Sequence, residues 1–231
     1  MNLLIITQKV DKKDPILGFF HRWVLEFAKH CENVIVICLQ KGDYDLPENV
    51  KVLSLGKELA GKGLTSRNEV EGGETLRRQA GLCGKRSFLA RGKYICIFYK
   101  YIWKERKNYD AVFVHMNPIY IILGGCLWAL WRKKISLWYT HKKVDIKLHI
   151  AEKIVDIIFT ASFKSFRLRS KKVRIMGHGI DIENFKPVVK ERSNVFRIVT
   201  IGRISPVKDY DTLIMATEIL NKNDLKIKID I

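Results

Sequence analysis

Short apolar segments rich in β-branched residues alternate along most of the chain with segments of helical periodicity. Strands are predicted over residues 3–7, 33–39, 50–55, 111–115, 135–140, 156–160 and 173–176. Helices are predicted between most of them, for instance after Asn117-Pro118, where Asn suits the N-cap and Pro the first helical position. Such alternation predicts an α/β fold with a doubly wound parallel sheet.

A second βα segment begins at Phe196. Apart from Arg197, residues 196–201 are apolar or β-branched, which predicts a strand buried on both faces, and Asp209 is predicted to cap the following helix. Gly202, Arg203 and Lys208 lie between strand and helix. Ligands of open α/β sheets bind at the carboxyl ends of the strands, where this loop lies, and a helix N-terminus favours anions. The loop is therefore a candidate diphosphate site; the alternative is a surface loop with two solvated cations.

Three of the six histidines, His115, His141 and His178, end or closely follow a predicted strand. In a parallel sheet these strand ends share one edge, which is the ligand-binding edge. A structural role for each histidine remains the alternative. Their spacing is not that of metal ligands, so no zinc site is predicted.

Two Asp-x-Asp sequences could in principle hold a divalent ion on a diphosphate. They are Asp43-Tyr44-Asp45 and Asp209-Tyr210-Asp211. We interpret the first as a turn and the second as a helix start, so neither is predicted to bind metal.

Basic residues dominate the composition: 42 Lys and Arg against 24 Asp and Glu give a formal net charge of +18. This excess indicates an anionic partner, either nucleic acid, an acidic membrane surface or phosphorylated substrates. Residues 77–93 mix cations with aromatic residues and are predicted to lie on anionic lipid. Residues 94–103 are predicted instead to pack their aromatic side chains on the sheet. No helix-turn-helix or other nucleic-acid signature is present, which makes nucleic acid the weaker alternative.

Five cysteines occur without a Cys-x-x-Cys pair, and four of them lie in apolar segments. They predict reduced, mostly buried thiols in a cytoplasmic protein. No signal peptide is visible, and the longest apolar run, residues 118–131, is shorter than the roughly 20 residues that span a bilayer.

Several of these segments together resemble the family 4 (group 1) glycosyltransferases, which have the two-domain GT-B fold. The similar segments are Gly202-Arg203 with Pro206 and Lys208, Trp138-Tyr139-Thr140-His141, and His178-Gly179-Ile180-Asp181 with Phe185 and Pro187. Asp209 and Val207 depart from the family, which usually has Gly and Glu there. The resemblance implies an N-terminal, acceptor-side Rossmann-like domain over residues 1–187. Residues 188–231 would be a linker and the first βαβ unit of an incomplete, donor-binding second Rossmann-like domain.

The resemblance also assigns site residues. His141 would be catalytic, beside the donor sugar and phosphate, while Gly202, Arg203 and Lys208 would contact the donor diphosphate. The remaining cleft residues would lie between donor and acceptor; they are Gly18, His115, His178 and Gly179. No cofactor is implied beyond the nucleotide-sugar co-substrate, and no visible motif requires a divalent metal.

The implied activity is transfer of a sugar, with retention of configuration, from a UDP- or GDP-type donor to a lipid-linked or polysaccharide acceptor in surface glycan synthesis. The enzyme would be cytoplasmic and peripheral on the inner face of the membrane. The chain as given is expected to bind donor weakly and to be catalytically silent. Two other functions stay open: a basic nucleic-acid-binding domain, and an inactive membrane-associated scaffold.

Overall fold

The computed structural model describes residues 1–61, 92–179, 182, 186, 195–202, 204–223 and 225–230. The chain divides into two compact units, Met1–Gly179 and Ile180–Ile231. The sequence placed this boundary eight residues later, between Pro187 and Val188, and both of these residues lie outside the described ones.

A seven-stranded sheet forms the first unit. Its strands are β1 (Asn2–Val10), β2 (Asn33–Lys41), β3 (Val50–Ser54), β4 (Ala111–His115), β5 (Lys134–Trp138), β6 (Ile157–Thr160) and β7 (Val173–Ile175). They are ordered β3-β2-β1-β4-β5-β6-β7, and every neighbouring pair is parallel. The predicted α/β class and doubly wound parallel sheet are therefore confirmed.

Among the described residues, five α-helices lie between these strands: α1 (Gly18–His30), α2 (Lys57–Gly61), α3 (residues 92–104), α4 (Pro118–Leu130) and α5 (Ile146–Ile154). Asn117 caps α4 as predicted, since its side chain accepts a hydrogen bond from the Ile119 N–H group. Asp145 caps α5 in the same way, through the Leu148 N–H group. Side-chain acceptors thus define where both helices begin.

Two apolar cores lie on opposite faces of this sheet. One contains Phe20 and Val24 of α1, and the other contains Phe98 of α3 and Trp128 of α4. The Trp128 indole N–H donates to the Tyr109 hydroxyl at 3.1 Å, which satisfies a polar atom inside the second core. Covering both faces explains why β1 and β2 are nearly continuous apolar runs.

Helix α3 packs most of its aromatic side chains on the sheet, as predicted for residues 94–103, but Trp103 is exposed. Phe98 and Ile102 are fully buried, while Lys93, Lys100 and Lys104 are exposed. Most of the predicted membrane-binding segment, residues 77–91, lies outside the described residues. In the described part of the chain, no helix is both long and apolar enough to span a bilayer.

The cysteines depart partly from the prediction. Cys31 and Cys38 are buried, and burial raises the pKa of the Cys38 thiol to about 12. Cys96 and Cys126 are exposed, because they lie on helix faces turned away from the core. The expectation of mostly buried thiols is wrong for these two, since an apolar run does not tell which helical face is covered.

The second unit contains one βαβ segment. Strand β8 (Phe196–Val199) pairs in parallel with β9 (Ile227–Asp230), and α6 (Tyr210–Lys222) connects them. Two predictions are wrong here. Phe196 and Val199 are exposed, so β8 is not buried on both faces. Asp209 has a left-handed backbone with φ of 50° and forms no side-chain cap hydrogen bond.

Candidate functional site

The switch point of the sheet lies between β1 and β4, because strands on either side of this pair are added in opposite directions. Ligands of doubly wound sheets bind outside the carboxyl ends of the strands at such a point. Here these ends are followed by the loop over residues 11–17 and by Met116. The topology therefore indicates this edge before any side chain is considered.

An ion-pair network holds the loop after β1. The Lys9 ammonium lies 2.7 Å from an Asp14 carboxylate oxygen and 3.0 Å from one of Asp11. Asp14 also accepts the backbone N–H groups of Ile16 and Leu17, and these bonds together lower its pKa to about 2. The loop is thus fixed immediately before α1 begins.

Gly18 begins α1 directly behind this loop. A methyl group on its Cα would lie 3.2 Å from the Lys12 carbonyl oxygen, so the close approach of loop and helix favours glycine. The sequence singled out Gly18 but did not predict that Lys9 pairs with Asp14. The pattern Lys-x-Asp-x-x-Asp after a strand was visible, but the pairing depends on how the loop folds back.

His115 ends β4 and is buried, with 2% of its surface exposed. Its ring stacks on Phe20 at a centroid distance of 4.1 Å, and Phe19 and Trp23 pack against it edge-on. Its Nδ1 lies 3.3 Å from the Thr7 hydroxyl. Burial lowers the pKa of this histidine to about 4, so the ring is neutral at pH 7. His115 therefore joins β1, β4 and the start of α1 at the switch point.

Met116 connects the ends of β4 and β5. Its backbone is left-handed, with φ of 60°, and its sulfur accepts hydrogen bonds from the backbone N–H and the hydroxyl of Thr140. A left-handed conformation is uncommon for such a side chain and is held by these contacts. The loop that carries His141 is thereby anchored to the neighbouring strand.

His141 is exposed in the loop after β5. Its Nδ1 accepts the Lys143 backbone N–H at 3.0 Å, and its ring lies 6.4 Å from that of Tyr139. In the neutral ring the proton is then on Nε2, which can donate to a ligand oxygen. The structure places this histidine on the predicted edge of the sheet.

His178 and Gly179 follow β7 and are exposed. Three strand spacings of about 4.8 Å separate β4 from β7, so the ends of these strands lie roughly 14 Å apart. The structure therefore brings Gly18 and His115 together, places His141 in the loop after the adjacent strand β5, and leaves His178 at the far end of the sheet edge.

The loop after β8 belongs to the second unit. A methyl group on Gly202 would lie 3.2 Å from Lys208 Cε and 3.3 Å from the Tyr210 hydroxyl, so both side chains lie against the Gly202 backbone. The Tyr210 hydroxyl is buried and has no hydrogen-bond partner in the described part of the chain. Arg203 lies outside the described residues. Tyr210 was not predicted from sequence, where it was only the middle of an Asp-x-Asp segment.

Metal ligands do not cluster in the described ranges: no three His, Cys, Asp or Glu side chains there are close enough to hold an ion. Asp43 forms an ion pair with Lys13 at 2.7 Å. The Asp45 backbone N–H donates to His21 Nε2 at 3.0 Å, and its neighbour Tyr44 is exposed. The first Asp-x-Asp segment is therefore engaged in loop contacts.

Comparison with known proteins identifies the fold. No protein-family model and no curated protein matches this sequence. Among solved structures, the chain is similar to HepE of Anabaena in complex with UDP, with a TM-score of 0.55, 12% identity, and coverage of 99% of this chain and 68% of that one. It is also similar to OtsA in its apo form, with a TM-score of 0.53, 11% identity, and coverage of 99% and 64%.

The chain accordingly has an α/β fold of the GT-B type, and it spans about two thirds of the length of these two structures. Identities this low establish the fold alone.

Proposed function

We propose that this chain belongs to a glycosyltransferase similar to family 4, which transfers a sugar from a UDP- or GDP-type donor to a lipid-linked or polysaccharide acceptor with retention of configuration. The fold supports the class, since the similar HepE structure was solved with UDP. The observation that carries the proposal is the arrangement at Gly202, where a lysine and a tyrosine hydroxyl without a partner among the described residues converge at the start of a helix.

The donor diphosphate would lie against Gly202. Lys208 supplies a positive charge, the Tyr210 hydroxyl a donor, and the start of α6 offers backbone N–H groups that Asp209 leaves uncapped. Arg203 would add a second cation. In the transfer step these groups would stabilise the charge that develops on the leaving diphosphate.

His141 would orient the transferring sugar or its phosphate through Nε2. Its hydrogen bond from Lys143 fixes the tautomer that this role requires. The cleft between donor and acceptor would be shaped by Gly18, His115, His178 and Gly179. His115 would contribute as a neutral, buried ring that packs against α1.

Donor binding by this chain is expected to be weak. Lys208 is exposed, and contacts of this kind contribute roughly 0.3–1 kcal/mol each, whereas millimolar affinity needs about 4 kcal/mol. NMR titration with UDP-glucose and GDP-glucose should give dissociation constants in the millimolar range or weaker, and a sensitive assay should detect no transfer. Micromolar binding, or transfer by residues 1–231, would contradict this expectation.

The Lys208 contact is tested by Lys208→Ala, with Lys226→Ala as a control that removes the same charge from an exposed position of the second unit. Lys208→Ala should weaken UDP-glucose binding about 2- to 5-fold, because one charged contact is lost. Equal affinities of the two variants would show that net charge alone attracts the nucleotide.

The role of His141 is tested in a catalytically active form of the protein. His141→Ala should reduce transfer at least 100-fold while the circular dichroism spectrum is retained, whereas His149→Ala, at an exposed position on α5, should not. Undiminished turnover of His141→Ala would make His141 structural.

We also propose that the enzyme is cytoplasmic and binds the inner face of the membrane through residues 77–93. The +18 charge supports this location. Vesicles that contain anionic lipid should co-sediment the protein, and replacing the cations of this segment by Glu should abolish binding. Equal binding to neutral vesicles would refute the proposal.

A further inference from the structure

A cavity of about 430 Å³ opens in the first unit at the carboxyl ends of β6 and β7. It lies between the loop after β5, which contributes Lys142, and the segment that leads from β6 to β7. Its volume is that of a small-molecule site. The residues assigned above to donor and catalysis do not line it.

Four cations line this cavity: Lys142, Lys164, Arg167 and Arg169. The lining contains no Asp or Glu, and none of the four side chains forms an ion pair with a carboxylate in the part of the chain that the structure describes. Residues 157–180 contain these last three, together with Lys171, Lys172 and Arg174, and no acidic residue at all. Positive charge is therefore concentrated around the cavity, and no described carboxylate pairs with it.

The other cations of the same segment are engaged differently. Lys172 donates to the Glu152 carbonyl oxygen at 2.7 Å, and Arg174 donates to the carbonyl oxygens of Lys171 and Val173. The side chains of Lys172 and Arg174 thus hydrogen-bond to the backbone near β7. The side chains of the four cavity cations form no such hydrogen bonds in the described part of the chain, so they differ from Lys172 and Arg174.

A buried hydroxyl gives a second, independent indication of a ligand. Thr160 is 0% exposed and lines the cavity, yet its Oγ1 has no hydrogen-bond partner among the described residues. Buried polar atoms are nearly always paired, because an unmade hydrogen bond costs stability. Thr160 therefore has an unused donor and acceptor at the wall of a cationic cavity.

The remaining wall is apolar. Phe166 is buried beneath the cavity, and Phe163 lies at its rim with 84% of its surface exposed. Ile175, also on the lining, is exposed as well. Cations beside exposed apolar side chains suit a ligand that carries both a phosphate and a hydrocarbon part.

We propose that this cavity binds the phosphate group of an amphiphilic phosphorylated ligand. Arg167, Arg169, Lys164 and Lys142 neutralise the phosphate, the Thr160 hydroxyl donates to one of its oxygens, and the hydrocarbon part lies against Phe163 and Ile175. Arginine suits this task because its planar fork matches phosphate oxygens. The site belongs to the first unit alone, and it does not depend on the proposed transfer activity.

Titration of the full chain with octyl phosphate, followed by NMR, tests the site. Arg167→Ala/Arg169→Ala should weaken binding at least 10-fold, because two charged donors are lost. The matched control, Lys171→Ala/Arg174→Ala, removes the same charge from the same segment but outside the lining, and should change affinity less than 2-fold. Equal losses in the two double variants would show nonspecific attraction to a basic surface and overturn the proposal.

Two further comparisons separate the parts of the ligand. Inorganic phosphate should bind at least 5-fold more weakly than octyl phosphate, and neutral octyl glucoside should not compete. Equal affinity for inorganic phosphate would refute the hydrocarbon contact, and competition by octyl glucoside would refute recognition of the phosphate.

Thr160→Val tests the hydroxyl with nearly unchanged shape. It should weaken octyl phosphate binding about 3-fold or more, while stability towards urea is unchanged or increased, because an unpaired buried hydroxyl is removed. Wild-type affinity in this variant, or a loss of stability that reveals a structural hydrogen bond, would contradict the assignment of Thr160 to the ligand.

Discussion

Strands β1 and β8 have similar sequences and different surroundings. Each contains mostly apolar residues, interrupted in β8 by Arg197, but Ile5 of β1 is fully buried, whereas Ile201, just after β8, is 90% exposed. Strand β1 has a parallel neighbour on each side and a core on each face; β8 has β9 alone as its partner among the described strands. An apolar strand sequence therefore shows that a strand can be buried. Whether it is buried depends on the neighbouring strands and on the cores that cover its faces.

The helix starts differ in the same manner. Asn117 and Asp145 cap α4 and α5 of the first unit through their side chains, whereas Asp209 precedes α6 in a left-handed conformation without a cap hydrogen bond. In the first unit these two helix starts are completed by side chains, although α1, which is preceded by Leu17, has no such cap. In the second, the N–H groups at the start of α6 are left for another partner, which is the condition that anion binding requires.

The largest expected effect comes from a matched pair of substitutions. Ile5→Ala should reduce the free energy of unfolding by about 2–5 kcal/mol, because it leaves a cavity in a closed core. Ile201→Ala should change it by less than about 0.5 kcal/mol, because the side chain is exposed. Urea unfolding followed by circular dichroism measures both. Comparable losses would mean that Ile201 is covered in solution and that the two regions are alike.

The buried histidine supplies the second prediction. All six histidines lie in the first unit, and burial lowers the pKa of His115 to about 4, below its ordinary value near 6.5. Between these values the unfolded chain binds the proton and the folded chain does not, so stability rises with pH across this interval. The contribution is up to about 3 kcal/mol, fully present above pH 6.5 and lost as pH falls towards 4.

His115→Phe should remove this part of the pH dependence, while His149→Gln, at an exposed position, should leave it unchanged. All five tryptophans also lie in the first unit, so their fluorescence follows its unfolding separately. A wild-type pH profile in His115→Phe would show that another group is responsible.

The smallest effects concern two left-handed residues, one in each unit. Arg132 follows α4 with φ of 56°, and the Lys133 N–H donates back to the Trp128 carbonyl oxygen, which is a Schellman motif. Asp209 precedes α6 with φ of 50°. Glycine accepts this conformation without strain. Arg132→Gly should therefore raise stability by about 1 kcal/mol and Asp209→Gly by about 0.5 kcal/mol, as measured by urea unfolding. Lower stability of Asp209→Gly would instead support the role of Asp209 as a helix cap, which the sequence predicted.

The sequence was sufficient for the architecture of the first unit. Ala111–His115 was predicted with the observed bounds, and Asn117 with its observed role, because apolar periodicity and capping chemistry are local signals. The placement of His115 and His141 at strand ends followed from the same periodicity. Periodicity could not show how deeply the His115 side chain is buried. Three aromatic rings of α1 enclose it, and this depends on how a helix distant in sequence packs.

The rest of the candidate sites depends on contacts between residues that lie apart or in loops. The network of Lys9 with Asp11 and Asp14 requires the loop after β1 to fold back. The convergence of Gly202, Lys208 and Tyr210 requires the turn before α6, in which Asp209 is left-handed. Local propensity favoured Asp209 as a cap and gave no reason to select Tyr210.

The position of β1 between β2 and β4 has a consequence for biosynthesis. Its partner β2 follows within about thirty residues, but Thr7 and His115, which face each other across the β1–β4 pair, are separated by 108 positions. At typical translation rates of 5–20 residues per second, roughly 5–20 s pass between the two. During that interval one edge of this apolar strand has no partner and is open to pairing with other chains. The central strand β1 is therefore synthesised first but gains its partner β4 late. Binding of a ribosome-associated chaperone should accordingly matter most while the first hundred residues emerge.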